Sequence, residues 1–371
     1  MNFKIERDHF FRVLQKVISV IPTKSTVEIL YNVLIHAEDS RLSITATDLE
    51  ITQIAWTDCT VVDAGQITIP GKILLDIIRE LPNVEIEFQS DENNKIIIKS
   101  ELGEYKLSGE SKNEYPSSPQ IESDNKIKIS NDALKHMIEK TIFACSSDHF
   151  RPALTGVYCQ FYENEYRMVA TDGHRLVKLV NPAVKSTFSK DIIIPTKALN
   201  FTARNLKEGE EHQITISDNH VLFELPDTHI YSRIIKESYP DYERVIPASF
   251  TKEMKINRNE FISSVKRVSL FSNPITSQVR LHLESNVLQI YAQDIEFGGE
   301  ANEHIPCSFE SEPLEIAYNA NYLLDLLRHF DSDKIKMTFN DSDSPALIYP
   351  DEENEREIDL VMLIMPVRIN S

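Results

Sequence analysis

The sequence predicts an α+β chain of three similarly folded domains, each with two helices packed on antiparallel strands. Three observations predict it. First, one short block returns three times: Phe3-Lys4-Ile5 leads into apolar-periodic residues 8–20, Ile127-Lys128-Ile129 into 130–144, and Met254-Lys255-Ile256 into 258–271, with starts 124 and 127 residues apart. A repeat of that period is one supersecondary unit used three times. Second, alternating strands that end in aspartate recur at 42–48, 168–172 and 288–294, and Asp48, Asp172 and Asp294 lie 124 and 122 apart. Third, 371 residues are long for a single core, and three units of about 125 fall in the usual domain range. The divisions are placed at 1–122, 123–250 and 251–371.

Within each unit the order is strand, helix, several strands, helix, several strands. Phe10, Leu14, Val17 and Ile21 fall at helical spacing in the first copy, as do Leu134, Met137, Ile138 and Ile142 in the second, so each helix has one face for a sheet. Ser130 and Asn257 are N-cap residues of the second and third copies, and Glu6 is a weaker cap for the first. A second strand-to-helix passage follows at 67–81, 192–206 and 314–330, with Pro70 and Pro195 at the first two junctions and no proline at the third. Period-two alternation marks further strands at 84–88, 214–216 and 335–339. Tyr115-Pro116 and Tyr239-Pro240, 124 apart, lie in polar stretches read as linkers, because the residue before proline is pushed to extended backbone.

Several function classes are excluded by what the chain lacks. No run approaches the roughly 20 apolar residues of a membrane span. The start, Met1-Asn2-Phe3-Lys4, has no signal-peptide hydrophobic region, so a cytoplasmic protein is expected. Cys59, Cys145, Cys159 and Cys307 have no CxxC spacing and lie among apolar neighbours, as reduced core thiols do. Eleven histidines show no metal-ligand spacing, so neither metal nor cofactor is expected. No Walker, GxGxxG or GxSxG motif occurs, and 9 glycines leave little material for phosphate-cradling loops.

Charge supplies the functional clue. The chain carries −19 at neutral pH, which ordinarily repels nucleic acid. Over the six predicted helices (8–20, 72–80, 130–144, 196–206, 258–271 and 319–329), however, 12 Lys or Arg face 7 acids, a balance of +5 against −24 elsewhere. Helices sharing one side of an assembly present a weakly basic surface to a polyanion, while mixed solvated faces are the plainer reading. So small an excess holds DNA loosely and without regard to sequence. Loose attraction suffices when a closed ring prevents escape.

Here the residues resemble a known family, the bacterial β sliding clamps, processivity subunits of replicative DNA polymerases. The resemblance runs the whole length, through Val169-Ala170-Thr171-Asp172-Gly173-His174-Arg175-Leu176 and Tyr239-Pro240-Asp241-Tyr242 to Ile364-Met365-Pro366-Val367-Arg368. It implies three DNA-clamp domains per chain and a head-to-tail homodimer, a six-domain ring around double-stranded DNA with helices lining the hole. Tyr105 and Leu107 on an edge strand, with Leu270 and Phe271 at a helix end, are the dimer-interface candidates, and ordinary core is the alternative for each. The resemblance also implies partners: the replicative polymerase, the clamp loader and repair proteins, held through short linear peptides. Their pocket would comprise Arg151, Leu154, Thr171, Gly173, His174, Arg175 and Leu176, then Pro240, Arg244 and Val245, then Asn319, Tyr322, Ile364, Met365, Pro366, Val367 and Arg368. Aliphatic walls take apolar anchors while guanidinium and backbone groups orient the peptide.

The DNA-contact candidates are Lys24, matching a family arginine, and the helix cations Arg12, Lys16, Arg79, Lys197, Arg204 and Lys266. The chain departs from the family pattern at Glu243, where many relatives are basic, at Thr276, Asp343 and Pro345, and in its Asn370-Ser371 end. Two other readings stand beside this one: an acidic protein-interaction scaffold without DNA encirclement, and a nucleic-acid-processing enzyme using the ATDGHR run. For the enzyme, Asp172, His174 and Arg175 suggest acid–base chemistry. Asp48-Leu49-Glu50 and Asp294-Ile295-Glu296 in the other copies make the aspartate a turn-capping feature of the repeat instead, and no nucleophile or second carboxylate accompanies it.

Overall fold

The computed structural model describes residues 1–294, 298–351 and 359–368. The first repeat runs β1 (Asn2–Glu6), α1 (Arg7–Ile18), β2 (Asn32–Glu38), β3 (Arg41–Thr47), β4 (Ile51–Asp58), β5 (Thr60–Asp63), β6 (Gly65–Pro70), α2 (Gly71–Glu80), β7 (Glu85–Ser90), β8 (Lys95–Ser100) and β9 (Gly103–Ser108). The second runs β10 (Lys126–Ser130), α3 (Asn131–Thr141), β11 (Gly156–Phe161), β12 (Tyr166–Thr171), β13 (Arg175–Asn181), β14 (Lys190–Pro195), α4 (Thr196–Asn205), β15 (Glu211–Ile216), β16 (His220–Leu225) and β17 (Thr228–Arg233). The third runs β18 (Lys252–Asn257), α5 (Arg258–Ser269), β19 (Gln278–Glu284), β20 (Val287–Asp294), β21 (Gly299–Pro306), β22 (Ser308–Phe309), β23 (Leu314–Asn319), α6 (Ala320–Arg328), β24 (Lys334–Phe339), β25 (Ala346–Pro350) and β26 (Asp359–Ile364).

The helices sit where apolar spacing put them, each burying one stripe. In α1, Phe10, Val13, Leu14 and Val17 are buried, and Phe10 meets the stacked pair Phe3–Phe88 edge-on. The Asn257 side chain accepts from Glu260 N at 3.0 Å and Ser130 Oγ from Ala133 N at 3.2 Å, whereas Glu6 makes no side-chain cap. At the third junction Asn319 stands where the other copies have proline and caps α6 with its side chain, accepting from Asn321 N and Tyr322 N. One helix is shorter than its periodicity: α3 ends at Thr141, whose hydroxyl donates to Met137 O at 2.7 Å, and 142–144 form a 3-10 turn. Back-bonding by a β-branched hydroxyl residue loosens the turn it sits on.

The sheets do not respect the repeats. Residues 1–134 with 197–234 form one compact unit, and 135–196 with the described residues from 235 onward form a second. The first unit holds a five-stranded sheet, β5-β1-β7-β8-β9, and an eight-stranded one, β10-β15-β16-β17-β4-β3-β2-β6. The latter is half first repeat and half second, joined where β17 pairs antiparallel with β4 from Thr228↔Ala55 to Ser232↔Ile51. The second unit repeats the device: a nine-stranded sheet, β14-β11-β12-β13-β26-β25-β24-β18-β22, is joined where β13 pairs with β26 from Arg175↔Ile364 to Val180↔Asp359, beside a four-stranded sheet, β21-β20-β19-β23. Pairing the edge of one repeat with the edge of the next removes exposed backbone donors and acceptors that would otherwise recruit foreign strands.

All four cysteines are free thiols. Cys159 is buried, while Cys59, Cys145 and Cys307 are half-buried rather than fully in the core. Burial pushes the Cys145 and Cys159 thiols up to about 12, so neither is a ready nucleophile. Ile295, Glu296, Asn370 and Ser371 lie outside the described residues.

Candidate functional site

The ATDGHR run is the turn between β12 and β13, and it is closed by its own side chains. Thr171 Oγ1 accepts from Gly173 N at 3.0 Å and donates to Arg175 O at 2.6 Å. Asp172 Oδ1 accepts from His174 N (2.9 Å) and Arg175 N (3.0 Å). Gly173 takes φ +91°, a left-handed conformation that suits glycine. Asp48 makes the same turn in the first repeat, accepting from Glu50 N and Ile51 N. The aspartate is therefore a structural cap.

Arg175 is the hub of the site. Only 8% exposed, it donates from Nε to Asp172 Oδ2 (3.1 Å), from Nη1 to Asp325 Oδ2 (2.8 Å) and from Nη2 to Phe143 O (2.9 Å), and its guanidinium lies over the Phe143 and Tyr322 rings. Its donors serve the fold, so it builds the wall from behind. Next to it, the exposed His174 ring stacks on Tyr322 with centroids 5.3 Å apart. Residues after β26 run alongside: Met365 N donates to His174 O (2.8 Å), Val367 N to Ala317 O (2.8 Å), and Gln278 Nε2 to Arg368 O (3.3 Å). Asn319 Nδ2 ties the start of α6 to Thr276 O (3.0 Å).

Beneath lies an apolar floor of Val169, Leu176, Tyr242, Leu347 and Leu363, with Met365, Tyr158, Tyr239, Ile246 and Phe250 packed against it. Leu154 is buried and Ile364 wholly so, which makes Ile364 support rather than lining. Pro366 and Val367 are half-buried, and Pro240, Arg244, Val245 and Arg151 are exposed at the rim. Arg151 and Arg244 pair with Asp148 and Asp241 three residues away, at 3.1 and 2.7 Å, in water-accessible bridges that exchange readily. All of the pocket candidates lie in the second unit, where Leu176 belongs to this apolar cluster and Met365 packs against it. Sequence reasoning missed Asp325, Phe143, Leu347 and the Tyr158–Tyr239 stack, whose rings lie 4.6 Å apart. Only the continuous apolar run at 346–350 carries a signal for any of them. Glu243 accepts from Arg167 at 3.1 Å, so its charge is half matched within the chain.

The DNA-contact candidates divide by their partners. Lys24, Arg204 and Lys266 have no ion pair among the described residues, and Arg12 donates only to the Asp8 carbonyl. Lys16 bridges to Asp227 at 2.6 Å, Arg79 to Asp76 at 2.6 Å, and Lys197 to Asp48. In the first unit α1 and α4 line a cavity of about 610 Å³ that collects Arg12, Lys16, Arg204, Lys207 and Trp56. The interface candidates are all accessible: Leu270 is 81% exposed, Phe271 44%, Tyr105 36%, and Leu107 is half-buried. The core alternative falls away for Leu270, Phe271 and Tyr105. Among the described residues no group of His, Cys, Asp and Glu is placed to hold a metal ion, and no helix is long and apolar enough to cross a membrane.

The chain matches three family models, described as the DNA polymerase III beta subunit N-terminal domain (residues 1–119), central domain (128–241) and C-terminal domain (243–368). Beta sliding clamps of Staphylococcus aureus and Staphylococcus epidermidis are 30% and 29% identical over 378 residues, covering 99% of both chains. Crystal structures of the DNA polymerase sliding clamps of Pseudomonas aeruginosa and Bacillus subtilis superpose with a TM-score of 0.93 at 30% identity, covering 100% of each chain. That of a Bartonella birtlesii sliding clamp bound to griselimycin does so at 32% identity, also with a TM-score of 0.93.

Proposed function

The chain belongs to the DNA polymerase III beta subunit family, and we infer from that premise that it works as a sliding clamp, closing around duplex DNA and tethering the polymerase to its template. It acts by topology, without turnover. One observation carries the ring. Two of the three repeat-to-repeat joints are made within the chain, by β17 on β4 and β26 on β13. By position in the repeat, the remaining equivalents are β9, at the edge of the five-stranded sheet, and β21, at the edge of the four-stranded one. Each has no strand on its outer side among the described residues. A third joint of the same kind joins β9 of one copy to β21 of another, and two copies placed head to tail satisfy both pairs of edges. Heterologous contacts of this sort either close or run on as filaments, and closure at two copies gives six equivalent joints.

The interface candidates lie where that joint falls. Tyr105 and Leu107 are on β9, and Phe271 lies beside Gly299, the first residue of β21. Domain limits at 122/123 and 250/251 belong to the same reading. DNA is held by the cations without carboxylate partners, Lys24, Arg12, Arg204 and Lys266, through phosphate attraction that reads no sequence. Polymerase, clamp loader and repair proteins dock through peptides in the cleft between the β12–β13 turn, the start of α6 and residues 364–368. Its apolar floor takes the anchor side chains and its rim orients the backbone. The cytoplasm, where a bacterial chromosome is copied, is the compartment that fits.

The test is topological. Protein placed on nicked circular DNA by a clamp loader is expected to stay through gel filtration and to leave once the circle is linearised. Release that ignores DNA ends favours the scaffold reading and overturns encirclement.

A further inference from the structure

Asp227 stands in the turn between β16 and β17, at the edge of the cavity lined by α1 and α4. Its Oδ1 takes Lys16 Nζ at 2.6 Å and its Oδ2 takes Lys207 Nζ at 3.0 Å, so one carboxylate occupies two ammonium groups from different elements. Burial works against the charged carboxyl, but hydrogen bonds from Lys16 and Lys207 outweigh it and hold Asp227 below its ordinary range. It stays ionised at neutral pH. The same cavity holds Arg12 and Arg204, neither of which has a carboxylate partner among the described residues. Asp227 and Lys207 are a third and a half exposed, so that bridge is of the weak, water-exchanged kind that another anion can replace, while Lys16, a quarter exposed and also donating to Thr228 Oγ1 at 3.2 Å, is held more firmly.

We propose that Asp227 is a built-in competitor for DNA phosphate, limiting how tightly the helix-lined wall grips the duplex. It rests on the reading of that wall as the DNA-facing surface. The physical need is plain: each phosphate that gains a lysine releases counterions and adds about 0.9 to the salt slope, so a wall with all its cations free holds the track instead of gliding on it. A carboxylate shared between Lys16 and Lys207 moderates two such contacts at once. The Asp48–Lys197 bridge, also from a turn between strands to a helix lysine, follows the same plan.

The experiment is affinity for a short linear duplex, which threads a closed ring without a loader, measured by fluorescence anisotropy across a salt series. Asp227→Asn is expected to bind more tightly than wild type, with a salt slope steeper by about 1 to 2, so that roughly ten-fold more affinity is lost between 50 and 200 mM salt. Adding Lys16→Gln and Lys207→Gln is expected to abolish the gain. Glu92→Gln, which removes one exposed charge from the turn between β7 and β8, serves as the control and is expected to leave the slope alone. An unchanged slope in a folded Asp227→Asn protein overturns the proposal, as does an equal change in Glu92→Gln. Wild type with no salt-dependent affinity for the duplex overturns the DNA-facing reading and this inference with it. Wild type that binds while Asp227→Asn matches it overturns this inference alone.

Discussion

Arg175 Nη1 donates to Asp325 Oδ2 at 2.8 Å, joining residues 150 positions apart and fixing α6 to the turn between β12 and β13. The pair lies beside the His174–Tyr322 ring stack, whose centroids are 5.3 Å apart. Arg175→Ala removes the guanidinium from Asp172 Oδ2, Asp325 Oδ2 and the Phe143 carbonyl, leaving Asp172 its backbone donors and Asp325 the Arg328 guanidinium. Removing one partner of a buried pair costs about 3–5 kcal/mol, and the low end applies because Asp325 is partly in water. Arg175→Lys keeps the charge but not the fork, so it is expected to recover only part of the stability. Thermal melting and titration with a peptide ending in Leu-Phe read the two consequences. A melting temperature and peptide affinity equal to wild type would remove Arg175 from its place as the hub.

Why the sequence disclosed some of this and hid the rest follows from the range of each interaction. Helix positions, caps at Ser130 and Asn257, and the role of Asp172 are decided within a few residues, and they are legible in spacing and residue type. The pairing of β17 with β4 is decided by edges 173 to 181 residues apart, and nothing local in Thr228 or Ala55 announces it. Arg175 resembles any surface arginine in the sequence, because its burial depends on Asp325, Phe143 and Tyr322 arriving from elsewhere. Likewise, Lys16 and Lys197 count as helix cations by position, yet folding sets a carboxylate against each. The charge excess of the helices therefore overstates the free charge on them.

Lys24 and Lys197 separate that free charge from the masked kind. Lys24 is exposed in the loop after α1 with no carboxylate partner among the described residues, while Lys197 bridges to Asp48. Lys24→Ala is expected to lower retention on nicked circles several-fold with an unchanged melting temperature. Lys197→Ala removes a cation that Asp48 already offsets, and its effect is expected to be smaller. Equal losses from both variants would mean that bridged and unbridged lysines serve DNA alike.

Leu270 is the most exposed of the interface candidates at 81%, and with Phe271 beside it at 44% it offers a small apolar patch for a second copy to cover. Leu270→Asp is expected to weaken self-association at least ten-fold without altering the fold of the chain. Sedimentation would show a shift from a species near twice 42.6 kDa towards the single chain. An unaltered dimer would move the interface away from this helix end.

His212 supplies a pH dependence with a defined sign. It is buried on β15, with Nδ1 2.7 Å from Asn131 Oδ1 and with Nε2 buried without a hydrogen-bond partner among the described residues. Asn131 Nδ2 donates to Lys207 O, so Asn131 Oδ1 is an acceptor and Nδ1 of the histidine carries the proton. A second proton has nowhere to bond, and burial lowers the group from 6.5 to about 4. The unfolded chain therefore takes up a proton first as pH falls. Stability is fully kept above about 6.5 and declines between about 6.5 and 4, to a total on the order of 3 kcal/mol. His229 in the same unit is also held low by burial, so the comparison that isolates His212 is the difference between wild type and His212→Gln. The variant is expected to start less stable at pH 7.5 and to lose less on acidification. Parallel pH profiles of melting temperature for the two proteins would show that His212 is not protonated on unfolding in this range.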